Sequence, residues 1–314
     1  MKEMNPIFVD PQRQREFERD GFTVVRLLSG EEAKALDVEI HALELGDGFA
    51  RNSDPYSDPY HATYFDEDMD YRRRAYAFAR AAMVERAERV LHGYRMVAGG
   101  FVVKRIGDGA VPLHRDWTLT EDPRHLTLNF WCPLVDTDDL NGTLRLVVGS
   151  HKLVPNVETA HVTPYFAAYG PALKEMSLAV PVRAGEALVF DSGALHWSAA
   201  NRSDAARTAI LSTWIPEHSR TVFYALDRTT GGSRFELFDM EEDGLIEHTP
   251  TQLAERDFSR KSLGFVPNRN RAVPYEEFVR RLAKGDTIRR EIFAPDGRGE
   301  GMLARFKRLA SAKN

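Results

Sequence analysis

Apolar and polar positions divide the chain into three textures. The polar run at residues 11–19 (PQRQREFER) ends at Asp20-Gly21, and residues 22–28 (FTVVRLL) then concentrate β-branched and aromatic side chains, so helix, turn and strand are predicted in that order. Ser29 with Glu32 is a capping box that opens a helix over about Gly30 to Leu45. Residues 46–70 are rich in Gly, Asp, Ser and Pro, yet they hold Tyr56, Tyr60, His61, Tyr64 and Phe65; a long aromatic loop in a compact domain is either a functional lid or disordered. Helical content returns from Tyr71 to Leu91.

After His92-Gly93 the pattern changes to short strands punctuated by turn residues and stays so to about Tyr224. Strands are predicted near 95–106, 125–134, 143–148, 178–183, 187–190, 195–200 and 205–215, with turns at 107–109, 141–142, 184–186 and 201–204. Such spacing points to a sandwich, jelly roll or small barrel. The tail from about 227 is mixed, with one amphipathic helix at Tyr275 to Lys284 and a basic end. No repeat or Pro/Ser-rich linker divides the chain, so residues 1–314 are read as one domain: a helical region to 92, a β core over about 93–225 and an extension over 226–314.

Composition narrows the function classes. Among 314 residues, 42 Lys plus Arg stand against 47 Asp plus Glu, a net charge of −5, which argues against a nucleic-acid surface. A single cysteine, Cys132, excludes an internal disulfide framework and a Cys-only zinc site, and a reducing, cytoplasmic setting is expected. Neither an apolar leader nor a run approaching the ~20 residues of a membrane span is visible, so neither export nor a membrane partner is expected.

The chemistry gathers at two places. In PLHRDW, His114 and Asp116 stand at i and i+2, which in extended backbone puts both side chains on one face. His196, in LHW, is a second imidazole in a strand-like stretch, and two His with one carboxylate make the facial triad of non-haem Fe(II) oxygenases. If residues 201–204 close a hairpin, Ser198 faces Arg207 and His196 faces Ala209, placing His196, Ser198 and Arg207 on one face of adjacent strands. A buried Arg beside a metal asks for an anion, and guanidinium matches carboxylate bidentately, with Ser198 adding a hydroxyl bond. A ligand that chelates iron at one end and carries a carboxylate at the other, as 2-oxoglutarate does, meets both demands.

These residues, with FERDGFTVVRLLSGEEAKAL, NFWCPLVDTDDLNGTLRLVVGSH and GEALVFDSGALHWSAANRSDAAR in this order, resemble the phytanoyl-CoA dioxygenase family of Fe(II)/2-oxoglutarate-dependent oxygenases over about residues 10–215. The resemblance implies a mainly β fold with flanking helices around a double-stranded β-helix (jelly-roll, cupin-like) core. It implies iron on His114, Asp116 and His196, and the distal carboxylate of 2-oxoglutarate on Arg207, with Trp131 and Ser198 at cosubstrate-contacting positions. Asn129, in phase with Trp131, is a third candidate contact. It further implies oxidation of a small-molecule or natural-product C–H bond by O2, releasing succinate and CO2. A carboxylate at Asp116, where related halogenases carry a small residue, points to hydroxylation, desaturation or cyclisation and away from chlorination.

Plainer roles are expected elsewhere. His125, His151, His161, His218 and His248 are read as packed or solvated, Cys132 as structural, Lys104 and Arg105 as surface charges, and Arg72 to Arg74 as a solvated helix face. Pocket walls are expected from the 46–70 loop, from 152–177 with Tyr165, Phe166 and Tyr169, and from the segment after Glu217. The competing reading is a cupin-like protein that binds a metal or ligand without turnover.

Overall fold

The computed structural model describes residues 6–50, 60–123, 125–152 and 156–284. The chain opens with α1 (Pro11–Asp20), capped by Asp10 and ended by Gly21 in the left-handed region, then β1 (Phe22–Arg26). The Ser29/Glu32 capping box opens α2 (Gly30–Ala42), which stops a few residues short of the expected Leu45. The aromatic stretch contributes β2 (His61–Ala62) and leads into α3 (Met69–Glu88); Tyr56 lies outside the described residues.

The β core follows as β3 (Tyr94–Lys104), β4 (Val111–His114), β5 (Leu128–Pro133), β6 (Leu144–Leu146), β7 (Leu178–Ala179), β8 (Glu186–Asp191), β9 (His196–Ser198) and β10 (Arg207–Pro216), with the short helix α4 (Gly170–Met176) before β7. Of the strand expected at 178–183, Leu178–Ala179 form β7 and the Val180 N–H still reaches the Leu144 carbonyl of β6, after which Pro181 has no N–H to continue the ladder. The extension adds β11 (Val222–Leu226), β12 (Arg234–Asp239), α5 (Gly244–Glu247), α6 (Pro250–Glu255), β13 (Ser262–Pro267) and α7 (Tyr275–Lys284).

Two antiparallel sheets face each other, one in the order β1-β8-β5-β10-β3-β2 and one in the order β4-β9-β6-β7. Alternation sorts the larger sheet cleanly. Phe130, Cys132, Ala187, Val189 and Ile210 pack outward with Phe17 of α1, Ile40 of α2 and Met83 of α3. Trp131, Leu188, Phe190 and Ala209 turn inward onto Leu144 and Leu146 of the smaller sheet. Cys132 is thus a free thiol in the outer core, as its phase against Trp131 required.

The hairpin predicted around residues 201–204 does not form. β9 pairs with β4 and β6, whereas β10 pairs with β3 and β5, so the connection crosses from one sheet to the other. The physical reason is where its backbone groups are satisfied: Asn201 donates to the Asp108 carbonyl and accepts from Gly107, its side-chain amide donates to the Lys104 and Ala205 carbonyls, and Arg202 donates to Leu140. Arg207 consequently pairs with Lys104, not Ser198; it points inward in phase with Ala209, while Ser198, paired with Leu144, points inward from the other sheet.

The extension packs against the site-bearing strands. β11 to β13 form a third sheet, tied to the segment after Asp116 by the Val222 N–H on Leu119 and by the Tyr224 hydroxyl on the Thr120 carbonyl. Val273 and, in α7, Phe278 and Leu282 are buried with Leu195, Val147 and Leu113 behind the strands carrying His114 and His196. Two asparagines fasten this segment reciprocally: the Asn270 amide pairs both backbone groups of Val157, and the Asn156 amide pairs both of Arg271.

Candidate active site

β4 ends on His114, which stands directly opposite His196 of β9. The chain then continues extended, and the Asp116 N–H is held by the Ser192 carbonyl of the turn that leads into His196. One imidazole from each strand and a carboxylate from the following loop thereby converge. His114 Nε2 lies 3.6 Å from Asp116 Oδ1, His196 Nε2 lies 3.7 Å from Asp116 Oδ2, and the two rings are 4.1 Å apart. One ligand atom from each residue falls within 4.8 Å of the others, a spacing that can hold a metal ion.

Both imidazoles are aimed by their other nitrogen. His114 Nδ1 meets the Pro112 carbonyl at 2.7 Å and His196 Nδ1 meets the Ala194 carbonyl at 3.0 Å, which puts the proton on Nδ1 and leaves the Nε2 lone pairs toward the centre. Burial, together with neighbouring His114, drives the His196 pKa down to about 4, so it is neutral and ligand-ready at physiological pH. For Asp116 burial pushes upward, but the two imidazoles and the Asn129 amide outweigh it and hold the carboxyl below its ordinary value.

Arg207 is 1% exposed, its guanidinium lies 5.1 Å from the Trp131 ring centre, and among the described residues it has neither a hydrogen bond nor an ion pair. Burial draws its pKa down to about 10, with Tyr60 close enough to act against the shift. Ser198 is equally buried, and its hydroxyl has no hydrogen-bond partner among the described residues. An unpartnered cation and an unpartnered hydroxyl in one interior fit a carboxylate-bearing ligand, because leaving either buried alone is costly. The Asn129 amide donates to Asp116 Oδ2 at 2.6 Å and accepts from the Thr213 hydroxyl at 2.7 Å.

Two expectations are overturned. Lys104 is not a surface charge; it is fully buried and its ammonium donates to the Gly109 and Ala199 carbonyls at 2.7 and 2.5 Å. Its inward phase with Val102 on β3 was the available signal. Arg72 is not solvated either: it is 3% exposed beneath α5, with one nitrogen on the Glu247 carbonyl. Arg105 remains at the surface, on Asp108.

Sequence reasoning also missed Glu158. It is buried, its backbone pairs with Thr118, and burial pushes its carboxyl up to about 7, against the pull of Arg115 and His114. Of the expected pocket walls, Tyr60, Tyr64 and Phe65 gather on Val111 and Leu211, and Phe223 packs on Trp117 beside the ligand loop. Phe166 and Tyr169 instead lie in the core under α7, with Phe278.

The architecture and parts of the sequence recur in other proteins. The chain is 32% identical over 119 residues to Dioxygenase olcK of Penicillium canescens, spanning 36% of this chain and 35% of that protein, about a third of its length. The crystal structure of the non-haem alpha-ketoglutarate-dependent carbocyclase SnoK from nogalamycin biosynthesis aligns with a TM-score of 0.51 at 20% identity, over 69% of this chain and 89% of that one, and shares its fold. The epimerase SnoN of the same biosynthesis aligns at 0.48 and 20%, over 68% and 84%. The profile of the phytanoyl-CoA dioxygenase (PhyH) family matches residues 17–209, which contain every ligand and cosubstrate candidate named above, and by that match over more than half its length the chain belongs to the phytanoyl-CoA dioxygenase family.

Proposed function

We propose that this protein is a non-haem Fe(II)/2-oxoglutarate-dependent dioxygenase that hydroxylates an unactivated C–H bond of a small molecule, releasing succinate and CO2. The family uses Fe(II), 2-oxoglutarate and O2, and the donor set here suits them: two imidazoles and one carboxylate, the arrangement non-haem iron oxygenases employ. The two facing sheets are read as a double-stranded β-helix within a single domain. A natural-product scaffold is the substrate class we favour, by fold-level analogy with the nogalamycin carbocyclase.

The observation that carries this reading is Arg207, a buried guanidinium without an anion, in the same interior as the His-Asp-His group. In this reading His114, Asp116 and His196 hold the metal, and Arg207 and Ser198 receive the distal carboxylate of 2-oxoglutarate. Trp131 shields that contact from water, so the charge-assisted bond acts at low dielectric. Bound iron with 2-oxoglutarate and O2 supplies the oxidising chemistry for a C–H bond. Asp116, a carboxylate where halogenases keep a small residue, favours hydroxylation over chlorination.

The test is the visible spectrum of anaerobic protein with Fe(II) during titration with 2-oxoglutarate. A weak charge-transfer band that saturates, disappears in His196→Ala and weakens in Arg207→Ala is the expected result, and it opens substrate screening by succinate release. Iron binding without such a band overturns the cosubstrate assignment and favours a cupin-like binding protein.

A further inference from the structure

Of the three candidate ligand side chains, Asp116 receives a side-chain hydrogen bond from the opposite sheet. His114 and His196 each bond a carbonyl two residues back in their own strand segment, whereas Asp116 is held by Asn129 of β5, which is in turn held by Thr213 of β10. Asn129 and Thr213 are register partners on the inner face of the large sheet, and Asn129 is 4% exposed. An amide presents a donor at one end and an acceptor at the other. With the Thr213 hydroxyl donating to Oδ1, Nδ2 is turned to Asp116, and the reversed amide would set its oxygen against a carboxylate. Asp116 Oδ2 is thereby engaged by the amide and has His196 Nε2 3.7 Å away, while Oδ1 has His114 Nε2 at 3.6 Å, both imidazoles beyond hydrogen-bond distance.

We propose that Thr213 and Asn129 form a relay that positions the Asp116 carboxylate for the metal, fixing the plane of the carboxylate through the hydrogen bond on Oδ2. Both are positioning residues: neither touches the metal, and Asn129 serves the metal centre in preference to the cosubstrate. The inference rests on the iron reading of the triad and adds to it a directional claim, that the large sheet sets the orientation of the one anionic ligand. Partners of this kind around metal-bound ligands contribute about 10- to 100-fold in metal affinity when removed.

The experiment measures Mn(II) affinity anaerobically by electron paramagnetic resonance of the free ion, then 2-oxoglutarate affinity at saturating metal, in wild type, Asn129→Ala, Thr213→Val, Thr213→Ser and the double variant Asn129→Ala/Thr213→Val. Asn129→Ala is expected to weaken metal binding by about 10- to 100-fold, with the 2-oxoglutarate affinity of the loaded protein little changed. Thr213→Val should weaken metal binding by a smaller factor and Thr213→Ser should restore it. The double variant should be no worse than Asn129→Ala, because Thr213 acts only through the amide. Unchanged metal affinity in Asn129→Ala, additive losses in the double variant, or a loss confined to 2-oxoglutarate each overturns the relay. Melting temperatures of the metal-free variants separate positioning from folding, and should Asn129→Ala fail to fold, the Thr213 pair decides. Wild-type protein that binds no metal overturns the iron reading itself, and the relay with it.

Discussion

Replacing Arg207 by methionine separates a residue kept for a ligand from one kept for the fold. Arg207 is 1% exposed and its guanidinium has no hydrogen bond or ion pair among the described residues, so without a ligand it is a buried charge offset only by the Trp131 ring 5.1 Å away. Met has a comparable stem and removes the charge, so metal-loaded Arg207→Met without 2-oxoglutarate should melt no lower than wild type, and higher if the relief approaches the ~1–4 kcal/mol seen when apolar groups replace buried charges. Ligand binding reverses the order. Truncating one partner of a buried charge pair costs about 2–5 kcal/mol, which is about a 30- to 4000-fold weaker 2-oxoglutarate complex. At a concentration one hundred times the wild-type dissociation constant, 2-oxoglutarate should stabilise wild type by about 2.7 kcal/mol and Arg207→Met by about 0.9 kcal/mol or less. Thermal melts with and without 2-oxoglutarate, in anaerobic Mn(II)-loaded protein, read both quantities in one assay. The reasoning is refuted if Arg207→Met is destabilised by ~3–5 kcal/mol without ligand, the signature of breaking a pair already made, or if 2-oxoglutarate still raises its melting temperature as in wild type.

Further outcomes follow from other parts of the chain. Gly21→Ala puts a methyl 2.4 Å from His151 Nδ1 at a φ of +86°, so a loss of about 2–4 kcal/mol is expected in denaturant unfolding, from backbone strain plus overpacking. Burial, with Lys152 beside it, lowers the His151 pKa to about 4. The unfolded chain takes up that proton as pH falls through 6.5 and the folded protein only near 4, so the contribution of His151 to stability is full above 6.5 and declines between the two; His151→Leu should remove that contribution in metal-free protein, where His196 acts in the same sense and Glu158 and Asp191, pushed up to about 7 and 6, in the opposite one. Phe278→Ala, at a position with no exposure in the cluster behind the ligand strands, should cost about 3–5 kcal/mol and lower metal affinity as well, which a titration of the variant would show.

Local rules made much of the chain legible. The Ser29/Glu32 box, the Gly21 stop and the helix at Tyr275–Lys284 depend on neighbours a few residues away, and each appears where the sequence places it. Period-two alternation likewise separated Trp131 from Cys132 and set His114 and Asp116 on one face. Lys104 and Arg72 were misplaced because burial of a long cation depends on carbonyls supplied from distant segments, Ala199 and Gly109 for one and Glu247 for the other. Glu158 carried no motif: it reaches the ligand loop only because residues 156–159 are held by Thr118 on one side and by Asn270 and Arg271 on the other.

By itself, then, the sequence determined the element types, the candidate His-Asp-His group and the presence of an arginine in phase with the interior, since these follow from residue chemistry and the pitch of a strand. Only the tertiary structure decided which sheet each strand joins. A strand's period dictates which way its side chains alternate but not which neighbour satisfies its backbone, and residues 199–206 could close a hairpin or cross the interior. Bonds to Asp108, Lys104 and Leu140 settled the crossing, and with it the placing of His196 and Ser198 on one wall and Arg207, Trp131 and Asn129 on the other.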